Sequence, residues 1–155
     1  MSSVKKTITV AASQEIAFKV FSEMTAWWPM ESHHIGKAAM KEAVMEPRAG
    51  GRWYERGVDG SECEWGRVLV WDPPKHLTLA WEISAEWQHD RALQTEVDVR
   101  FIAEGANTTR VELEHRHLER YGAKADEMKK AFDSEGGWTS LLQRFAKAAI
   151  EHTAS

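Results

Sequence analysis

The hydrophobic period of this chain changes three times, and the order of those changes restricts its fold more than any single residue does. Val4, Ile8 and Val10 alternate with polar residues, the spacing of a half-buried strand, with Lys6 in the same register at an edge. From Ser13, a suitable N-cap, the residues Ile16, Ala17, Val20, Phe21 and Met24 follow helical spacing. Trp27-Trp28-Pro29 stops that helix, because proline disfavours helical geometry in the residue before it. Residues 30–42 carry little period and read as an irregular, partly helical crossing of one end of the domain. Short strands then fall near 43–47, 51–57, 63–71, 76–84, 95–103 and 108–116, separated by Gly50-Gly51, Asp59-Gly60, Asp72-Pro73-Pro74 and Gly105-Ala106-Asn107. Asp59-Gly60 is the best hairpin turn among them, since glycine accepts the positive φ that tight hairpins require.

Helical spacing returns at the end of the chain. Met128, Ala131 and Phe132 form a short face, Asp133 to Gly137 break it, and Trp138, Leu141, Leu142, Phe145, Ala149 and His152 then share one stripe. That stripe needs a large apolar partner, which a curved antiparallel sheet of about seven strands can supply. The expected class is therefore α+β: a first strand, two short helices, six strands and a long C-terminal helix gripped by the sheet. One domain over 1–155 is expected, because no repeat or linker interrupts the chain and 155 residues bury a sufficient core without a disulfide or metal staple.

Composition removes several functions. The single cysteine, Cys63, permits no internal disulfide and no four-thiolate zinc site, and it lies between Glu62 and Glu64, which oppose a reactive thiolate. With 20 Lys+Arg against 24 Asp+Glu and no basic run, the chain has no electrostatic footprint for nucleic acid. No window is apolar enough for a membrane span and the N-terminus lacks a signal peptide's apolar segment, so a cytoplasmic setting is expected. There is no nucleophile elbow, phosphate loop or dinucleotide fingerprint, and no cofactor is expected. What stands out is eight Trp against two Tyr and five Phe, because indole is bulky, flat and polar at one edge, suited to a partly wet pocket as well as to a core.

The order of elements carries further motifs. The Trp27-Trp28-Pro29 break, the segment Pro47-Arg48-Ala49-Gly50-Gly51-Arg52 and the hairpin Trp71-Asp72-Pro73-Pro74-Lys75-His76-Leu77 come first, followed by the strand Thr109-Arg110-Val111-Glu112-Leu113-Glu114-His115 and the late Gly137-Trp138. Together they resemble the START-like (SRPBCC) superfamily, and within it the branch named after the C-terminal domain of the heat-shock-protein-90 ATPase activator. The resemblance implies the helix-grip fold also seen in the birch pollen allergen and in polyketide cyclases, with a hydrophobic cavity between the concave sheet and the C-terminal helix. Co-chaperones of this kind carry an extra N-terminal domain that this chain does not show, so a chaperone partner is not expected. One fold of this type hosts many functions.

Alternation sorts the candidate site residues by face. Val97, Val99 and Phe101 share one side of their strand, as do Leu77, Leu79, Trp81 and Ile83, and as do Val111, Leu113 and His115. His115 thus continues an apolar row, either as a satisfied core histidine or as a polar group that orients a ligand or moves a proton. Strand spacing puts His117 on the same face, but a His-x-His pair lacks a third ligand and a metal is not expected. His33 and His34 lie at one edge of the implied cavity mouth; neighbouring side chains diverge, so at most one, assigned as His34, faces it, with Glu31 and Glu46 the nearest carboxylates. Arg52 and Arg56 are expected to pair with Glu62 and Glu64 on the exposed sheet face. Of Trp53 and Tyr54, alternation does not decide which points inward, because Gly50, Gly51 and Gly66 allow a bulge that changes the phase. The ligand-contacting set is therefore His115, Trp81, Trp138, Trp65, Tyr54, Trp53, His34, Val99, Phe101, Leu142 and Phe145, around a small apolar or aromatic ligand. A cofactor-independent cyclase or dehydratase using a pocket histidine is the alternative function, and a co-chaperone or stress-response module the third. Trp87, between Glu86 and Gln88, is a rim residue or a homodimer contact.

Overall fold

The computed structural model describes residues 3–154; Met1, Ser2 and Ser155, the ends of the expected 1–155 domain, lie outside them. The sheet strands are β1 (Ser3–Val10), β2 (Met40–Met45), β3 (Arg52–Gly57), β4 (Glu62–Asp72), β5 (His76–Trp81), β6 (Thr95–Gly105) and β7 (Thr108–Arg116). The helices are α1 (Gln14–Ser22), α2 (Ala125–Asp133) and α3 (Ser140–Ala154), with a short 3-10 turn, Met24–Ala26, after α1. The seven strands form one antiparallel sheet in the order β1-β7-β6-β5-β4-β3-β2, so that β2 to β7 run as a meander and β1 closes the far edge beside β7. This is the α+β architecture expected from the periods, a curled half-barrel around a long C-terminal helix. No helix among the described residues is long and apolar enough to cross a membrane.

Local chemistry sets the element ends. Ser13 caps α1 by accepting from Ile16 N at 3.3 Å. At the other end the indole N–H of Trp27 reaches back to the carbonyls of Val20 and Phe21, at 3.1 and 3.3 Å, and ties the last turn of the helix, where carbonyls run short of intrahelical donors. Gly60, at φ 86, makes the β3–β4 turn. Between α2 and α3 a π-type turn spans Glu135–Thr139. There Gly137 brings its backbone so close to α2 that a Cβ would lie 2.4 Å from the carbonyls of Ala131 and Phe132.

β3 and β4 hold the one register change that decides side-chain direction. Trp53 pairs with Gly66 while Tyr54 pairs with Glu64, so Trp65 is the extra residue of a bulge. Gly66 is required beside it, since a Cβ there would sit 1.7 Å from the Ala80 carbonyl oxygen. The bulge turns Trp53 and Trp65 together into the interior, where their rings meet at 5.4 Å. Tyr54 goes to the opposite face. Its ring lies under the Arg52 guanidinium at 3.9 Å and its hydroxyl accepts from Arg56.

Most of the space between sheet and α3 is filled. Phe21 of α1 packs against Phe101 of β6 at 5.7 Å and against Phe145 of α3 at 5.2 Å, and Phe18 meets Phe101 at 5.1 Å. Each such ring, fully buried, contributes about 1.5–3 kcal/mol through removal from water. Opening this half of the interior would expose all of them, so the sheet–helix gap is a core here. At the other end of the gap a cavity remains.

Candidate functional site

The surviving cavity has a volume of about 530 Å³ and is partly open to solvent. Much of its lining is aromatic: Trp65 from β4, Trp81 from β5, Trp28 from the turn after α1 and Trp138 from the π-type turn, with Leu141 at the start of α3. Trp87, 49% exposed and held at φ 60, stands at the rim. Small residues at and before the π-type turn, Ala131, Ser134, Gly136 and Gly137, line the cavity beside Phe132. Segment 32–35 crosses the mouth and contributes Ser32, His33, His34 and Ile35.

A buried carboxylate pins that crossing segment. Glu55, 2% exposed on the inner side of β3, accepts from Ile35 N at 2.6 Å and Gly36 N at 3.1 Å, and from the indole of Trp65 at 2.9 Å. From the other side Trp28 donates to the His33 carbonyl at 2.7 Å, and His33 Nε2 bonds the Gly136 carbonyl at 3.1 Å across the mouth. The strap is thus tied to the sheet, to the turn after α1 and to the π-type turn. Neither Glu31 nor Glu46 plays this part; Glu46 instead accepts from Arg48 and from Arg52 N. Glu55 escaped the sequence reading because its position is polar within an aromatic strand, and nothing local marks it as facing inward.

His115 lies behind the cavity and is fully buried, with ring neighbours Phe132 at 4.3 Å and Trp81 at 5.0 Å. Its nitrogens have opposite roles. Nδ1 accepts from the Trp138 indole at 3.1 Å, and Nε2 meets Thr95 Oγ1 at 3.0 Å. Since the Thr95 hydroxyl donates its one hydrogen to the Trp81 carbonyl, Nε2 must carry the imidazole hydrogen. Burial pushes the imidazole down to about 3, so it stays neutral. This is a satisfied core histidine that fixes Trp138, and it stands behind the cavity lining without forming part of it. His117 does not share its face: at φ 66 it leaves the strand and turns its ring toward Glu96 and Glu119, which separates the His-x-His pair.

The expected contact set therefore divides. Trp65, Trp81, Trp138 and His34 line the cavity. Trp53 supports Trp65 and Trp81 from behind, and His115 supports Trp138. Val99, Phe101, Leu142 and Phe145 pack in the core, with Phe21 of α1 against the rings of Phe101 and Phe145. Tyr54 is on the outer face, where Arg52 pairs with Glu62 and Glu64 and Arg56 with Glu42 and Glu62. Both His33 and His34 line the cavity, contrary to the expectation of one at most. The chain turns tightly here, with Ser32 N and His33 N both bonded to the Pro29 carbonyl, so strand-like divergence does not apply. Trp28, Ile35, Phe132 and Leu141 are lining residues that sequence did not single out for this role. Burial first, then Glu55, Asp59 and Glu64, pushes the Cys63 thiol up, away from the thiolate form.

Comparison with known proteins adds a family and two substantial likenesses. The sequence profile described as "Activator of Hsp90 ATPase homolog 1-like protein" matches residues 11–149. The solved structure of an anthrahydroquino-gamma-pyrone synthase, Txn09, complexed with SUM, is 41% identical over 96% of this chain and 97% of that one, with a TM-score of 0.67. CalC, a self-sacrificing resistance protein from Micromonospora echinospora, is 32% identical over 97% of this chain and 95% of that one, with a TM-score of 0.72. The Aha1 dimer from Colwellia psychrerythraea shares the fold at 14% identity, over 96% of both chains, with a TM-score of 0.63. No curated protein matches the chain.

Proposed function

Since this chain belongs to the Activator of Hsp90 ATPase homolog 1-like family, a family with a ligand-binding fold, we propose that it holds a small, flat apolar or aromatic ligand in its indole-lined cavity. The carrying observation is that five of the eight tryptophans, Trp28, Trp65, Trp81, Trp87 and Trp138, converge on one partly open space of about 530 Å³. A volume of that size suits a small organic molecule, and indole walls suit planar rings. A cytoplasmic setting belongs to the same proposal.

The likeness to Txn09 favours a second reading, a cofactor-independent cyclase-like enzyme acting on a polycyclic aromatic substrate in the same space. Native mass spectrometry of the protein purified from its source organism tests the first reading. A co-purifying small molecule that leaves unchanged supports a binding protein, and a repeatedly empty spectrum counts against it. Release of a chemically altered product would favour the enzyme instead.

A further inference from the structure

Hydrogen-bond roles around the cavity are unevenly spent. The indole N–H of Trp28 goes to the His33 carbonyl, that of Trp65 to Glu55 and that of Trp138 to His115. The Ser134 hydroxyl donates to the Ala131 carbonyl. His33 Nε2 faces the Gly136 carbonyl, which can only accept, so it carries the ring hydrogen, and Nδ1 then accepts from Ser32 Oγ at 2.8 Å. Trp81 Nε1 is sealed from solvent on the Tyr121 side of the cavity. Inside the rim, then, the side-chain donors are committed or out of reach.

His34 is the exception on the acceptor side. Its Nδ1 meets the Gly36 carbonyl at 2.9 Å and must donate to it, which leaves Nε2 of the neutral ring with a bare lone pair. That nitrogen has no protein partner among the described residues, and it is not buried. The two residues that follow it are held by Glu55, so the ring sits on a fixed segment.

We propose that the cavity selects ligands presenting a hydrogen-bond donor at one edge, an aromatic or enolic hydroxyl, and that His34 Nε2 is the acceptor that takes it. The inference rests on the binding reading above and narrows its ligand class. A ligand edge bearing only carbonyl oxygens meets, among the described side chains, no free donor beyond the exposed Trp87 indole at the rim, whereas a hydroxyl meets the imidazole nitrogen.

Two fluorescent probes of nearly equal shape test this on the full chain: 2-hydroxyanthracene and its methyl ether, 2-methoxyanthracene. The hydroxyl probe should bind about tenfold tighter, and His34→Phe should abolish that preference, so that the two probes bind the variant with affinities equal to within about twofold. If both probes bind the native protein equally, or if the preference survives in the variant, the role of His34 is overturned while the cavity reading stands. If neither probe binds, the cavity reading falls and this inference falls with it. Nitrogen-15 NMR of the native protein gives a readout independent of the variant's folding. The His34 hydrogen should reside on Nδ1, and Nε2 should shift with the hydroxyl probe and not with the ether. A hydrogen on Nε2 in the free protein would overturn the inference.

Discussion

The indole N–H of Trp138 donates to Nδ1 of His115 over 3.1 Å, and that one bond joins the cavity wall to the sheet interior. It exists only while the imidazole keeps Nδ1 unprotonated. With Thr95 settling the other nitrogen, the ring is held in a single tautomer between β7 and the turn before α3.

Stability should therefore depend on pH through His115. In the unfolded chain this imidazole takes its proton near 6.5, but in the fold it stays neutral down to about 3. Between those values the unfolded state binds the extra proton, so stability falls as pH falls, by roughly 1.4 kcal/mol per pH unit. Urea unfolding at about pH 6 and about pH 4.5 should show a loss that shrinks by about 2 kcal/mol in His115→Gln. An unchanged pH dependence in the variant would refute the assignment.

Trp138→Phe keeps a ring in place but removes the donor. His115 Nδ1 would then be buried without a partner, which costs about 1–3 kcal/mol. Equilibrium unfolding at neutral pH measures it, and a loss no larger than the change in buried area would show that the bond contributes nothing.

Glu55→Gln tests the strap. The carboxylate accepts from three N–H groups, and an amide has only one acceptor oxygen for them. Hydrogen exchange at the amides of Ile35 and Gly36 should accelerate, with a global cost of about 1–3 kcal/mol. Unaltered protection at those two amides would mean that the strap is held from elsewhere.

Gly66→Ala should be among the most damaging small substitutions in the sheet, at about 3 kcal/mol or more, because the new methyl meets the backbone of Ala80. Gly105→Ala meets nothing within 4 Å and should stay within about 0.5 kcal/mol. Thermal unfolding of the two variants side by side distinguishes a packing requirement from a general preference for glycine in strands.

The sheet was legible because its strands alternate and its turns carry glycine and proline, and α3 was legible from a single apolar stripe. Misplaced ends have local causes. β2 begins at Met40 and not near residue 43, and β5 stops at Trp81 because Ile83 forms only an isolated bridge with His89. The 3-10 stretch Leu118–Lys124 had no period to announce it. His115 was readable as inward-facing, but whether inward meant ligand or core depended on how far Trp138 reaches from another element. The same holds for Phe101 and Phe145, whose apolar rows look alike whether a ligand or Phe21 lies against them. Trp53 and Tyr54 could not be separated by alternation, since the deciding event is one extra residue, Trp65, on a neighbouring strand.

The close approach of Gly137 to α2 also bears on how this site can diversify. One wall of the cavity is main chain under steric lock: no residue with a Cβ fits at 137 without moving the carbonyls of Ala131 and Phe132. Elsewhere the lining is made of side chains, and Trp87 at the rim can change without disturbing the hydrogen bonds that hold the strap. Relatives with a differently shaped cavity should therefore keep the glycine and differ at the exchangeable side chains of the lining.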